Sequence, residues 1–400
     1  MNIREQFLKY SGIFVFMLIA MTYVLGIIIP SENIKVYQTQ IDPCVDNWYY
    51  TDTSIPVTDS SLRIKPQKKL SITRTLEEIN STGKVLGFYD PGTHVRIYID
   101  NRLVFEAGKD NSTHFGEETG SVWRCIPISG CSADSSLTIS FENNTQSNKN
   151  INLSRMYICE ENTIFRIILV YSVGNIIIFS ICIVMGMMLL FLCYGFYRLR
   201  IRQYYIPLLY LSGLCVSVGL WVISEGGVLQ LLFNYSSTQY GLSYAMLMLI
   251  GYFFIVYHRE ILHDIRPVLN YVLASYDFVL LTIIILNLLN IVNIKNSIIM
   301  VHLYMIIMVV LILIFGTKQY LRERRVDSLG TLISIIILVP AVLIGLATFN
   351  TDGNSANTSL VTGIGFVALL ITSTLSFGRA IVNDLKKFNL NIKSEANSGE

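Results

Sequence analysis

Charge is scarce in this sequence. Asp, Glu, Lys and Arg supply 14% of the 400 residues, against roughly 25% in an ordinary soluble domain, which argues against a cytosolic enzyme. The charge present does not lean to one sign. Thirty basic and 28 acidic residues nearly cancel, so no nucleic-acid partner is expected. Motifs of catalysis are missing too: there is no Walker loop, HExxH or GxSxG, and no GxGxxG between a strand and a helix. There is no CxxC pair, and His94 and His114 are isolated, which disfavours a zinc site. The expectation is no catalytic domain within these residues, no cofactor and no metal.

What the sequence has in abundance is apolar residues, 52% of the chain with a mean hydropathy of +0.52. Runs near 20 residues are the length that crosses a hydrocarbon core of about 30 Å. The first is Ser11–Pro30, which exceeds the roughly 7–15 apolar residues of a signal peptide and is followed by no small-x-small cleavage site; it reads as an uncleaved anchor. Seven more lie at Ile164–Tyr197, Tyr205–Ile223, Tyr240–Tyr257, Val268–Ile291, Ser297–Phe315, Leu329–Phe349 and Ser359–Ile381. Pro267 and Pro340 lie at or inside two of them, which membrane helices tolerate.

The connecting segments carry a strong asymmetry. Fifteen basic residues lie on one side: Arg4, Lys9, Arg198, Arg200, Arg202, Arg259, Arg266, Lys318, Arg322, Arg324, Arg325, Arg379, Lys386, Lys387 and Lys393. The short loops opposite hold only Lys295. Excess Lys and Arg marks the cytoplasmic side. The expected protein is therefore a multi-pass protein of the plasma membrane, in contact with its lipid. Both termini are cytoplasmic and residues 31–163 extracytoplasmic. The expected organisation is a cytoplasmic N-terminus and anchor helix over 1–30, an extracytoplasmic β-sandwich sensor domain over 31–163, a seven-helix bundle over 164–381, and a short cytoplasmic tail over 382–400.

Residues 31–163 alternate in hydrophobicity with the period of a half-buried strand. Seven such segments are Lys69–Leu76, Val85–Asp90, His94–Asp100, Leu103–Glu106, Val122–Ile128, Ser136–Glu142 and Ile151–Ile158. The polar connection at Asp100-Asn101-Arg102 reads as a hairpin. Short strands in Gly-, Asn- and Ser-rich surroundings predict a β-sandwich. Four cysteines lie in this region, Cys44, Cys125, Cys131 and Cys159, and allow three pairings. Cys44–Cys159 with Cys125–Cys131 is set against the other pairings and free thiols.

An anchor, a sandwich and seven spans is an unusual order. The stretches LGFYDPGTHVRIYIDNRLVFEAG, GSVWRCIPI and LTISFEN, with GLWVISEGGVLQLLF carrying Trp221 and Glu225, complete the pattern. It resembles the bacterial seven-transmembrane receptors with diverse intracellular signalling modules. The resemblance implies a jelly-roll, galactose-binding-like ectodomain and an output such as a diguanylate cyclase or histidine kinase. Only about twenty residues come after the last span, too few for such a domain. The expectation is a truncated receptor half, or signalling through a separate cytoplasmic domain or protein, with a homodimer compatible with either.

This frame singles out candidate site residues. Trp48, Tyr49 and Tyr50 offer ring faces to an extracellular small molecule or carbohydrate, or a packing surface. Trp123 sits in an alternating strand and is expected in the core. Within the spans, Asp277 and His302 are candidates for a polar switch, because burying an ionisable group in a bilayer costs at least about 2.5 kcal/mol. The structural alternative has Asp277 protonated, or bonded to a hydroxyl such as Tyr276 or Ser275, or facing a wet cavity. Gly363 and Gly365 are expected to permit close helix packing. Finally, Ile381, Leu385, Phe388 and Ile392 are spaced like the seam of a short coiled coil. A transporter or glycan-export protein with an accessory binding module is the competing reading, although no internal repeat supports it.

Overall fold

The computed structural model describes residues 43–76, 84–108, 121–128, 134–144, 148–231, 236–289, 291, 294–323, 326–352 and 355–398. The anchor segment Ser11–Pro30 and Cys131 lie outside the described residues. The described chain begins with strands and ends with helices. The strands are β1 (Tyr49–Tyr50), β2 (Ser61–Ile64), β3 (Lys69–Thr75), β4 (Lys84–Asp90), β5 (His94–Ile99), β6 (Arg102–Ala107), β7 (Val122–Pro127), β8 (Ser136–Glu142), β9 (Lys149–Asn152) and β10 (Met156–Glu160).

They form a five-stranded sheet in the order β1-β3-β8-β5-β6, a three-stranded sheet β10-β4-β7 and a pair β2-β9. Every pairing is antiparallel. The alternation seen in the sequence has a physical outlet here. Ile72, Val95, Ile97, Leu137, Ile139 and Phe141 of the large sheet face Leu62, Ile64, Leu86, Phe88, Ile126, Ile151 and Met156 of the smaller ones, and together they form one core. Phe88 and Phe141 meet edge to face across it, with ring centres 5.9 Å apart. This is a β-sandwich.

Two local devices fix its geometry. The β5–β6 hairpin turns through Asp100 and Asn101, both in the left-handed region (φ 48° and 64°), as a two-residue turn matched to strand twist requires. The β4–β5 turn is held by Asp90, which is fully buried. Its Oδ1 accepts the Gly92 and Thr93 amides and the Thr93 hydroxyl, while its Oδ2 accepts Nε and Nη2 of Arg124. A buried carboxylate is tolerable only with such saturation.

The seven expected spans all emerge as helices: α1 (Glu161–Arg198), α2 (Arg202–Glu225), α3 (Ser236–Ile261), α4 (Arg266–Leu288), α5 (Ile294–Glu323), α6 (Val326–Asp352) and α7 (Ser355–Ser398). Six are long and apolar enough to cross a membrane, and the apolar stretch of α6 is Leu332–Gly345. Pro267 stands in the first turn of α4, where its missing amide has no helical acceptor to lose. Neighbouring helices pack in sequence, and α7 closes the bundle by lying against α6, α1 and α2. Gly363 on α7 lets Ile178 of α1 and Val222 of α2 approach, and Gly365 does the same for Ala341 of α6.

Candidate functional site

Strand β10 ends at Glu160 and helix α1 begins at Glu161, with no residue between them. The last strand of the sandwich and the first helix of the bundle are therefore one continuous element. What packs around this joint is decided on β4. Its Leu86 and Phe88 enter the sandwich core, so strand parity turns Val85, Gly87 and Tyr89 to the opposite face. That face does not meet solvent. Val85 and Tyr157 form a second apolar cluster with Ile164, Ile167 and Ile168 of α1. Gly87 lies where α1 lands: a methyl group there would overlap the fully buried Ile164 side chain.

Beside this contact the sandwich offers an aromatic clasp. Trp123 of β7 lies 5.7 Å from Tyr89, 6.4 Å from Tyr157 and 5.7 Å from Tyr171 of α1, between ring centres. The guanidinium of Arg155 sits 5.4 Å over Tyr89 and 5.3 Å over Tyr171, an arrangement in which the ring faces attract the cation. The Tyr157 hydroxyl donates to Ser154 O (3.1 Å), so at the 3.0 Å contact with Tyr171 it must accept. Burial, with the Tyr171 hydroxyl second, pushes the Tyr157 phenol well above its ordinary range. The Trp123 amide donates to Oε1 of Gln230, in the short helical turn after α2 (2.9 Å). Sandwich, α1 and the α2–α3 connection thus meet at one residue.

Directly along α1 lies a buried polar tier. Ser172 donates to Gly226 O, and Asn175 Nδ2 donates to Val222 O (3.1 Å) and to Ser359 Oγ of α7 (2.8 Å). Across α2 and α3, Gln239 donates to Ser224 O and Ser243 to the Glu225 carboxylate. In an apolar surrounding these bonds fix helix positions, because an unmade one leaves a costly buried group. At the far end of the bundle, Tyr204 of α2 donates to Asp384 of α7 (3.0 Å).

The aromatic candidates from the sequence are redistributed. Trp48 is 1% exposed in the sandwich core, its Nε1 donating to Cys44 O (2.7 Å), so it offers no stacking face. Tyr50 packs against the same core, and only Tyr49 is exposed. Trp123, expected in the core, belongs instead to the junction. The reason is parity: Val122 and Ile126 of β7 point inward and Trp123 points the other way.

Asp277 and His302 stand apart from the buried polar tier. Both are exposed on the flank of the bundle rather than enclosed by it, and no hydrogen bond or ion pair joins them among the described residues. The hydroxyls expected to serve Asp277 are engaged elsewhere, Tyr276 with Met248 O (2.8 Å) and Ser275 with Val272 O (2.9 Å). The polar groups that the bundle encloses include Ser172, Asn175, Ser224, Gln239, Ser243 and Ser359, together with His258, Asn287 and Gln319. Uncharged residues inside apolar runs give a weak sequence signal; their spacing on one helical face was the only clue.

Of the disulfide candidates, Cys125 and Cys159 carry thiols, and the Cys44–Cys159 bridge is not formed. The Cys44 amide donates to Met156 O (2.7 Å), three residues before Cys159 along β10, so the two cysteines are neighbours out of register. Among the described residues no group of three or more His, Cys, Asp or Glu side chains could hold a metal. Comparisons with protein-family models, curated proteins and solved structures find no match for this chain.

Proposed function

We propose that this chain is a membrane receptor in which the sandwich takes up an extracytoplasmic ligand and the helical bundle carries a rearrangement to a cytoplasmic output. One observation carries the reading: the sandwich is joined to α1 without a linker, and its β4 face and Trp123 clasp that helix. An accessory binding module needs only a tether. A sensor needs a joint whose two sides cannot move independently.

The fifteen-to-one distribution of basic residues supports a cytoplasmic place for the end of the bundle away from the sandwich. A five-stranded sheet facing a three-stranded one is the arrangement that a galactose-binding-like jelly roll would present. That likeness favours a small molecule or carbohydrate as ligand, and a separate signalling domain or protein as recipient.

Coupling can be tested without knowing the ligand. Two spin labels, at exposed Tyr197 on α1 and exposed Lys386 on α7, report the far end of the bundle in the full chain in nanodiscs. Aromatic contacts are worth about 0.5–1.5 kcal/mol each, so Trp123→Ala should move a two-state population by up to about tenfold. The label distance distribution should therefore shift, with the melt of the sandwich still cooperative. An unchanged distribution in a folded variant would reject the receptor reading and leave the sandwich as an accessory module, as a transporter would use it.

A further inference from the structure

At the end of the bundle away from the sandwich lies a cavity of about 850 Å³, walled by the α1–α2 turn, the end of α3, the start of α4 and the departing α7. From this cavity we infer a binding site for a phosphate group carried on a hydroxylated molecule. Such a site stands whether or not the sandwich is a sensor.

Charge points to an anion. Three arginines, Arg200, Arg202 and Arg266, line the cavity against two carboxylates, Glu260 and Asp384. The carboxylates are already engaged: Glu260 accepts Arg259 and Arg266, and Asp384 accepts the Tyr204 hydroxyl. Among the described residues no salt bridge involves Arg200 or Arg202. Among the described residues these two lining arginines are thus not committed to a carboxylate, and the planar donor fork of a guanidinium is the group best matched to phosphate oxygens.

The backbone points the same way. Helices α2 and α4 both start at this cavity, with Arg202 and Arg266 as their first residues. The preceding residues, Ile201 and Ile265, provide no side-chain cap. At α2 the uncapped first-turn amides and the positive end of the helix dipole favour an anion, whereas at α4 the Arg266 amide donates to His263 O and Pro267 has no amide, so that helix contributes chiefly its dipole. Arg200 itself stands in the left-handed region (φ 57°), in the turn where its amide donates to Tyr197 O (2.9 Å). Glycine is the ordinary occupant of such a helix-ending position.

Basic residues flanking a span are also the ordinary mark of the cytoplasmic side. That account places arginines at this depth but does not call for a concave space between them. Nor does it explain the presence in the same lining of Asp384 and Tyr204, a hydrogen-bonded pair suited to hydroxyl groups. The volume falls within the roughly 300–1,000 Å³ of sites for small organic ligands. The same chemistry is offered by a soluble phosphate ester and by a phospholipid headgroup.

Two arms separate these sources. In the first, pyrophosphate and ADP are titrated onto the full chain in phosphatidylcholine nanodiscs. In the second, nanodiscs are doped with phosphatidic acid and retained lipid is counted by native mass spectrometry. Each arm compares the pair Arg200→Gln and Arg202→Gln with a charge-matched control, Arg198→Gln and Arg379→Gln, both outside the cavity. Saturable binding should fall about tenfold for each cavity arginine removed and hold in the control. Loss in the first arm assigns a soluble ligand, and loss in the second a lipid. Asp384→Asn should weaken ADP but not pyrophosphate; equal effects would overturn the hydroxyl assignment. No saturable binding in either arm, or equal loss in the control, would overturn the site, and neither outcome bears on coupling between sandwich and bundle.

Discussion

Cys159 shows how a single residue takes its chemistry from its place. It lies on β10, paired with Val85, on the face that the bundle covers. Burial first, and the neighbouring Cys44 second, push its thiol from the ordinary 9.0 up to about 11. Thiolate is the reactive form, so at pH 8 the folded chain should alkylate slowly at this position. The rate should climb about tenfold per pH unit toward pH 11, and unfolding at constant pH 8 should accelerate it. Peptide mapping after timed iodoacetamide treatment measures this; equal rates in folded and unfolded chain would contradict the assigned environment. Single residues were least legible in the sequence where, as here, the deciding neighbour comes from another domain. Trp48 and Trp123 illustrate the point. Both occur among short apolar segments, yet one fills the sandwich core and the other clasps a helix. Parity within β7 was legible, because Val122 and Ile126 share a phase that excludes Trp123. What covers the second face of the sheet was not legible, since nothing local to β7 specifies α1.

At the scale of elements, alternation proved sufficient for most of the sandwich, and the length of the apolar runs for all seven helices of the bundle. Segments read as strands at 69–76, 85–90, 94–100, 103–106, 122–128 and 136–142 match β3 to β8 within two residues. The stretch read as one strand from Ile151 to Ile158 is two, β9 and β10. They are separated by a short helical turn over Leu153–Arg155 that Asn152 caps through the Ser154 amide. Asn close before Ser was the available signal, since both compete locally for backbone groups. The strands β1 and β2 have two and four residues, too few for alternation to register. The element with most consequence is β4, apolar on both faces because each is covered. Gly87→Ala should therefore act on the joint rather than on the sandwich core. Overpacking against Ile164 is expected to cost about 1–3 kcal/mol, with Ile164→Ala relieving part of it in a double-mutant cycle. Additive costs in the full chain would mean that the two side chains do not meet.

The whole molecule is organised along α7. This helix touches α1 through Ser359, closes the bundle against α6, and at Asp384 meets Tyr204. Its 44 residues, at 1.5 Å each, reach roughly 66 Å, about twice a hydrocarbon core of about 30 Å. A single continuous helix therefore runs from the level of the polar tier to beyond the Asp384–Tyr204 contact. The heptad spacing of Ile381, Leu385, Phe388 and Ile392 suggested a helical exit, and the backbone is helical throughout. Ile381, where the last apolar run ends, is 6% exposed within the bundle core, so the first position of that seam is anchored in the bundle. If the proposed receptor reading holds, a helix anchored at its root in this way should transmit rotation as well as displacement. Fusing a dimeric coiled coil and an output enzyme after Ile392 provides the measurement. Each inserted residue turns the fused segment by about 100°, so activity should vary with insertion length at the helical period of about 3.6 residues. Variants with three or four inserted residues should return toward the parent level, and those with one or two should depart from it. Activity that ignores phase would mean that α7 ends mechanically at the membrane surface, its lysines held by lipid phosphates, and that any output must be reached by another route.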